Sequence, residues 1–278
     1  MIEGEAQSPA RVAELLRGSG IEAFEARILL AWASGLPRTT LVAHPQAPIG
    51  AAEARAFREA ASRRRAGEPI AYLIGEREFF GLALRVTPQV LIPRPETELL
   101  VDFALQRLAR HGALADLGTG SGAIALAVKA QRPDARVTAV ERSEGALAVA
   151  RENAARHRLD IEFLAGDWFE PLAGRRFDIV LANPPYVAEG DSHLGQGDLR
   201  FEPSAALLAG ADGLDALKRI AALAGNHLNA DGWLCTEHGQ GQDAAVRALF
   251  GQHHLKSVAS RPDLAGIARI TYGKYNLE

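Results

Sequence analysis

Between residues 8 and 68 apolar side chains recur three and four positions apart. Val12, Leu15 and Leu16 form one stripe, and Phe24, Ile28, Leu29 and Trp32 form another, the period of amphipathic helices. Ser8-Pro9 reads as a helix N-cap followed by Pro at the first helical position, and Gly18-Ser19-Gly20 and Gly35-Leu36-Pro37 interrupt the helices. This segment is predicted to be a small bundle of roughly four helices. From Pro69 the texture changes. Glu78–Val86 reads as two short strands around a turn at Gly81, and Pro88, Pro93 and Pro95 then predict a stiff, extended connection. Helical spacing returns over Glu96–Arg110, with Leu99, Leu100, Phe103 and Leu108 apolar. The domain boundary is placed in this transition: a helical domain over 1–68, a β-hairpin and Pro-rich linker over 69–95, and a second domain over 96–278.

In the second domain strands and helices alternate. Strands are predicted at Ala113–Leu117, Arg136–Val140, Ile161–Leu164, Phe177–Ala182 and Gly232–Glu237. Helices are predicted at Ala123–Ala130, Ser143–His157, Gly213–Leu228 and Asp243–Phe250. Such alternation means βαβ units, a mostly parallel sheet and helices on both faces. Two late strands, near 255–260 and 267–273, are too close for a helical crossover and are expected to pair antiparallel at one edge.

Composition narrows the class. The 278 residues are 47% hydrophobic and 23% charged, ordinary for a globular protein with an ample core. The single cysteine, Cys235, excludes an internal disulfide framework or a multi-cysteine zinc site, and no metal site is expected. The net charge of −3 is unlike that of a protein living on bulk nucleic-acid phosphate. The run Arg55, Arg58, Arg63, Arg64, Arg65 is interleaved with Glu53 and Glu59 and is read as a solvated helix face. No apolar run approaches the ~20 residues that cross a bilayer, and the acidic start Met1–Ala6 lacks the order of a secretory signal. A soluble cytoplasmic setting is expected, without membrane or direct nucleic-acid binding.

Two motifs carry chemistry. Asp116-Leu117-Gly118-Thr119-Gly120-Ser121-Gly122 follows a strand and opens a helix. Its glycines let backbone come close to a ligand, and the helix N-terminus suits a negatively charged group. Glu141, 19 residues past Gly122, ends the next strand, where a carboxylate can bind ribose hydroxyls. Together they predict a site for an adenosine cofactor. The spacing is Gly-x-Gly-x-Gly and no P-loop lysine follows, which favours S-adenosylmethionine over a dinucleotide without deciding between them. Asp167-Trp168 closes the third strand, where adenine would lie. Trp168 offers a ring face or edge and Asp167 an acceptor for the exocyclic amine; core packing is the alternative for Trp168.

The second motif, Asn183-Pro184-Pro185-Tyr186, follows the apolar strand Phe177–Ala182. Ligands of open α/β sheets sit at such carboxyl ends. Two prolines make the turn rigid and leave bare carbonyls. The Asn183 side-chain oxygen and the Pro184 carbonyl can each accept one hydrogen of a planar –NH2 group, with Tyr186 stacked on its plane. An amide or nucleobase nitrogen is a poor nucleophile, and this geometry would aim it at a methyl sulfonium by positioning and electrostatic preorganisation.

With these residues the chain resembles the HemK/PrmC family, the peptide chain release factor glutamine N5-methyltransferases. The resemblance also rests on Phe79-Phe80-Gly81, on Val90–Glu98 (Val-Leu-Ile-Pro-Arg-Pro-Glu-Thr-Glu), on Gly166-Asp167-Trp168, on Gly197–Pro203 (Gly-Asp-Leu-Arg-Phe-Glu-Pro) and on Glu237-His238-Gly239. The Pro-rich hinge and the Asp-Leu-Arg-Phe-Glu-Pro loop are its most specific parts. It implies a class I, Rossmann-like S-adenosylmethionine-dependent methyltransferase domain, joined through the β-hairpin to a small helical domain that docks the release factor. The implied reaction is methylation of the side-chain amide of the glutamine in the Gly-Gly-Gln loop of release factors; separately, a monomer is expected. Carried over by motif, Gly118, Thr119, Gly120, Ser121 and Gly122 hold the methionine end, Glu141 takes the ribose hydroxyls, and Asp167 and Trp168 lie beside adenine. Asn183 contacts cofactor and substrate, and Pro184, Pro185 and Tyr186 complete the glutamine pocket, with Asn183, Pro184 and Tyr186 as catalytic residues. Many members carry Asp where this chain has Glu141, whose longer side chain keeps the carboxylate but shifts the ribose contact.

Other features are read as structural. His238 has the look of a general base, but the chemistry requires none before attack, so a strand-end role is expected. His253-His254 lacks partners at ligand spacing, Cys235 belongs to the core, and Gly239-Gln240-Gly241 is a linker. Residues 187–204 are either a flap over the substrate or a plain linker. The rival functions are a nucleic-acid amino-methyltransferase acting on a flipped base, an NAD-dependent oxidoreductase, and a non-catalytic module that binds release factors.

Overall fold

The computed structural model describes residues 9–195 and 197–276. The expected N-cap Ser8 and the acidic start lie outside them. The chain separates into two compact units, Met1–Gly75 and Glu76–Glu278.

Among the described residues, the stretch before residue 69 holds the four helices its periodicity predicts, α1 (Val12–Arg17), α2 (Ala23–Ser34), α3 (Arg38–Ala43) and α4 (Ala51–Arg65), and the first unit adds a fifth, α5 (Ile70–Ile74), inside the stretch read as hairpin and linker. They enclose Val12, Leu29, Leu30, Leu41, Phe57 and Leu73. Pro9 does not open a helix. It precedes a two-residue strand, β1 (Ala10–Arg11), which pairs antiparallel with β2 (Pro48–Ile49). The helix begins at Val12, and the Arg11 N–H donates to Glu14 Oε2 at 3.1 Å, satisfying from within the first turn a donor that Ser8 was expected to influence. On α4, Arg55, Arg58, Arg63 and Arg65 are exposed. Arg63 and Arg64 pair with Glu68 and Glu25 at 2.5 and 2.7 Å.

The second unit opens with the hairpin β3 (Glu76–Phe79) and β4 (Leu82–Arg85). Its two turn residues, Phe80 and Gly81, both have positive φ (49° and 80°), as a two-residue hairpin with native twist requires. A 3-10 turn over Pro95–Thr97 leads into α6 (Glu98–Arg107), so the helix starts two residues later than its apolar spacing predicts. Then follow β5 (Ala113–Leu117), α7 (Ala123–Gln131), β6 (Arg136–Glu141), α8 (Glu144–His157), β7 (Glu162–Ala165), β8 (Phe177–Ala182), α9 (Asp215–His227), β9 (Leu228–Glu237), α10 (Asp243–Gln252), β10 (Leu255–Pro262) and β11 (Ala268–Tyr275). The seven strands β5–β11 form one sheet in the order β10-β11-β9-β8-β5-β6-β7. All pairs from β9 to β7 are parallel. β11 runs antiparallel to β9 and β10 antiparallel to β11, the expected antiparallel edge. β9 begins at Leu228, earlier than expected, and its register against β8 shifts between Phe177 and Ile179.

Alternate residues of the central strands enter two cores. Leu114, Ile179 and Leu181 pack with α6 and α7 on one face. Ala115, Leu117 and Val180 pack with α9 and α10 on the other. Chain order reverses at β5, where β6 lies on one side and β8 on the other. Ligands of open α/β sheets sit at that switch point, outside the carboxyl ends of the strands.

Candidate active site

Register alone assembles the site. Leu117 lies opposite both Val140 and Ala182, Ala182 opposite Thr236, and Glu141 opposite Ala165. One residue further along each strand therefore sets Glu141, Gly118, Asn183 and Glu237 side by side across the carboxyl edge. A cavity of about 400 Å³ opens there, lined by Gly118–Ser121, Glu141, Asp167, Trp168, Asn183 and Pro185, with Pro203, Ala205 and Leu208 from the loop beyond. Pro184 is buried beneath the turn and Tyr186 turns toward β9; neither is among its walls.

On the cofactor side, Gly118, Gly120 and Gly122 have φ of 70°, 58° and 85°, values that penalise any residue with a Cβ. A Cβ on Gly118 would stand 3.1 Å from the Trp168 ring, and one on Gly122 would stand 2.9 Å from Leu126 Cδ1. A Cβ on Gly120 would meet no protein atom within 4 Å beyond its chain neighbours, and the residue lines the cavity. Thr119 turns its hydroxyl inward to Asp116 Oδ2 at 2.5 Å, and the Ser121 carbonyl accepts from Asn153 at 2.9 Å. The side chain of Thr119 thus serves the loop. Asp116 Oδ2 also accepts the Ala125 N–H at the start of α7 (3.2 Å), while Oδ1 is buried without a partner. Burial raises the Asp116 pKa to about 7 against those hydrogen bonds.

Glu141 accepts from Ser143 N–H through one oxygen (2.9 Å) and from Gly120 N–H through the other (3.0 Å). Each oxygen keeps a lone pair for a further donor. Asp167 pairs with Arg219 at 2.8 Å, and Trp168, held at φ 51°, packs both on the sheet core and against Gly118. Trp168 thus packs on the core and also lines the cavity. The set suits S-adenosylmethionine: carboxylate acceptors for ribose hydroxyls, a helix N-terminus for a carboxylate, an aromatic wall and no lysine cradle for phosphate.

On the other side, Asn183 Nδ2 donates to Thr97 Oγ1 at 3.1 Å, Thr97 Oγ1 donates to Glu237 Oε2 at 2.7 Å, and Tyr186 Oη donates to Glu237 Oε1 at 3.2 Å. Asn183 Oδ1 takes no hydrogen bond from any described residue. Thr97 and Glu237 are buried. Burial, with Glu96 nearby, raises the Glu237 pKa to about 7 against its two hydrogen bonds and Arg269. Burial and Glu237 also raise that of Tyr186.

Neither Thr97 nor Glu237 is among the sequence candidates. The available signal is an acid closing a buried apolar strand next to β8, a residue that enters the sequence reading only within Glu237-His238-Gly239 and without a role of its own. That histidine is buried, with Nδ1 3.0 Å from the Gly239 carbonyl and Nε2 2.9 Å from Thr271 Oγ1; both ring nitrogens are engaged, and its role is structural. Cys235 is buried in β9. Residues 187–204 are anchored at both ends. Val187 exchanges backbone hydrogen bonds with Leu207 and Ala209 (2.9 and 3.0 Å), and buried Glu202 binds Arg94 and accepts the Ile92 N–H at 3.4 Å.

This architecture has many known counterparts. A methyltransferase from Pyrococcus furiosus superposes with a TM-score of 0.56 at 17% identity, covering 79% of this chain and 99% of that one. The 16S rRNA N2 G1207 methyltransferase of T. thermophilus, solved with AdoMet and guanosine, gives 0.55 at 19% identity, covering 72% and 50%. These likenesses concern the fold. The sequence model of the methyltransferase small domain matches residues 95–210, and that of the PrmC N-terminal domain matches 9–75. The release factor glutamine methyltransferase of Burkholderia pseudomallei is 50% identical over 96% of this chain and 97% of its own. That of Bordetella pertussis is 50% identical over 94% and 97%, and that of Pseudomonas aeruginosa 47% over 90% and 92%. A class I methyltransferase fold, a glycine loop facing Asn183 across one cavity, and near-full-length identity of this order lead to one assignment: the chain belongs to the release factor glutamine methyltransferase family.

Proposed function

We propose that the chain uses S-adenosylmethionine to methylate N5 of the glutamine in the Gly-Gly-Gln loop of peptide chain release factors, with Asn183 as the residue that aims the amide. The supporting observation is the alignment of Asn183 beside Gly118 and Glu141 at one level of the sheet edge. Bound S-adenosylmethionine supplies an electrophilic sulfonium methyl. The chain's own groups do the rest. Gly118–Gly122 and the start of α7 receive the methionine end, Glu141 the ribose hydroxyls, and Asp167 and Trp168 the adenine.

Asn183 Oδ1 and the Pro184 backbone carbonyl accept the two N–H groups of the substrate amide, Pro185 bounds the pocket, and Tyr186 braces the turn from behind through Glu237. Holding both hydrogens fixes the nitrogen in line with the methyl carbon. It also places two partial negative charges where positive charge develops on nitrogen. S-adenosylmethionine held by Gly118–Gly122, Glu141, Asp167 and Trp168 would supply the methyl carbon and keep the electron pair of the C–S bond on sulfur, and the methylated nitrogen would shed its surplus proton to water. No base is needed before attack, in keeping with His238 being engaged elsewhere. The helical unit is the release-factor docking module: Phe24, Trp32 and Val42 expose large apolar side chains on it, and Arg38 lies 5.9 Å over the Phe24 ring. Within its arginine run, Arg63 and Arg64 are ion-paired to Glu68 and Glu25.

The test is methyl transfer from labelled S-adenosylmethionine to a purified release factor, followed by peptide mass spectrometry. A glutamine heavier by one methyl group in the Gly-Gly-Gln peptide is expected. Label on rRNA or DNA alone overturns the proposal.

A further inference from the structure

We infer that Glu237, acting through Thr97, is the positioning residue that decides which end of the Asn183 carboxamide faces the cavity. The inference rests on the reading of Asn183 as the acceptor for the substrate amide, and it concerns groups that never touch the substrate.

An Asn amide offers an acceptor on one side and two donors on the other, and its orientation is set by its hydrogen-bond network. Only the oxygen is useful toward a substrate –NH2. At Asn183 the choice is made two residues away. Above its pKa of about 7 Glu237 is ionised and can only accept. The Thr97 hydroxyl has one hydrogen, and its bond to Glu237 Oε2 at 2.7 Å commits that hydrogen. What Thr97 Oγ1 then presents to Asn183 is a lone pair, so Nδ2 must face it, as it does at 3.1 Å, and Oδ1 is left toward the cavity. The second carboxylate oxygen holds Tyr186 Oη at 3.2 Å, so one buried acid orders both ends of the Asn-Pro-Pro-Tyr turn. Without the carboxylate the Thr97 hydrogen is released. It can then donate to Asn183 Oδ1, turning the amide over and setting two donors against the substrate's donors.

This predicts an epistasis that a purely structural role does not produce. Glu237→Met lowers kcat on the release factor about a hundredfold, the scale of one lost preorganised group, with KM for the release factor little changed because docking lies elsewhere. Adding Thr97→Val to that variant removes the misdirected hydroxyl and raises kcat about tenfold, the worth of one net hydrogen bond. In NMR spectra of the protein alone, the Asn183 Nδ2 protons give a cross-peak to the Thr97 methyl, and the peak is lost in Glu237→Met. Thr97→Val and Thr97→Ser provide a pair that both preserve the core: the serine, which keeps the hydroxyl, retains most of the rate that the valine loses.

A double variant no faster than Glu237→Met, a cross-peak unchanged in Glu237→Met, or equal rates for Thr97→Val and Thr97→Ser each overturn the relay. The cross-peak needs neither cofactor nor turnover. A protein that shows the predicted switch yet methylates no release factor therefore refutes the proposed substrate and leaves the relay standing.

Discussion

The three glycines of the loop share a left-handed backbone but face different surroundings, so an alanine at each isolates a different quantity. The φ values of 70°, 58° and 85° at Gly118, Gly120 and Gly122 impose a similar conformational cost on alanine, about 1–2 kcal/mol. At Gly122 the new methyl also meets Leu126 Cδ1 at 2.9 Å and Ala150 Cβ at 3.3 Å. Both are fully buried, so overpacking adds about 1–3 kcal/mol. At Gly120, which lines the cavity, the methyl meets no protein atom within 4 Å beyond its chain neighbours.

Gly120→Ala should therefore lose only the backbone term, roughly 2–8 °C in Tm for a unit of this size, but should lose cofactor binding. Gly122→Ala should melt lowest and still bind. The assay is thermal unfolding with and without S-adenosylmethionine. At a hundred times Kd the cofactor contributes about 2.7 kcal/mol, which corresponds to roughly 5–11 °C; a tenfold weaker Kd halves it. Gly118→Ala sits between, because its methyl would press on the Trp168 ring at 3.1 Å. A full cofactor-induced shift in Gly120→Ala, or a Gly122→Ala no less stable than Gly120→Ala, would refute the assignment of the open side of the loop to the cofactor.

Asn183→Ala should reduce kcat on a release factor about a hundredfold while the far-ultraviolet circular dichroism stays unchanged; a rate within threefold of the parent removes Asn183 from the chemistry. Asn153→Ala should cost about 2–4 kcal/mol in urea unfolding, since its side chain serves Arg85 N–H (2.7 Å), the Arg85 carbonyl (3.0 Å) and the Ser121 carbonyl (2.9 Å) and leaves buried groups unpaired when removed. Asp116 has a pKa of about 7 in the folded protein, raised by burial. Its stabilising contribution is therefore present below the ordinary carboxylate range and is lost as pH rises through 7. Asp116→Asn should then gain on the parent as pH rises from 4 to 7, by up to about 1.4 kcal/mol per pH unit, and keep that lead at pH 8; urea midpoints whose difference is the same at pH 4 and pH 8 would disprove the titration.

The sheet was legible because its central strands are buried on both faces and so appear as short apolar runs between helical stretches; Phe177–Ala182 matches the observed β8 at both ends. The facing motifs were legible because each closes such a run. What escaped notice depends on contacts between distant positions. Thr97 and Glu237 are 140 residues apart and meet only through the register of β8 on β9 and the turn that the three prolines force on residues 88–95. That stretch reads as a spacer, yet Arg94 reaches Glu202, Thr97 reaches Glu237, and Glu98 accepts the Phe80 N–H at 3.0 Å. The two most family-specific motifs, the Pro-rich hinge and the Asp-Leu-Arg-Phe-Glu-Pro loop, thus touch each other. The start of α1 escaped because Glu14, inside the helix, does the capping.

A common device appears on both sides of the cavity. On the glycine-loop side and the Asn183 side the lining residues are uncharged: Gly118–Ser121, Asn183 and Pro185. Behind each row stands a buried acid, Asp116 or Glu237, which binds two separate pieces of chain. Asp116 joins the Thr119 hydroxyl to the first turn of α7, where a negative charge is favoured by the helix N-terminus. Glu237 joins Thr97 to Tyr186. An apolar side chain at either position would avoid the desolvation cost, so stability alone does not account for these acids. They are explained by what they hold still. Catalysis that works by aiming an amide nitrogen at a carbon depends on placement to a fraction of an ångström. Acids that never meet the substrate are then as exposed to selection on rate as the asparagine that does.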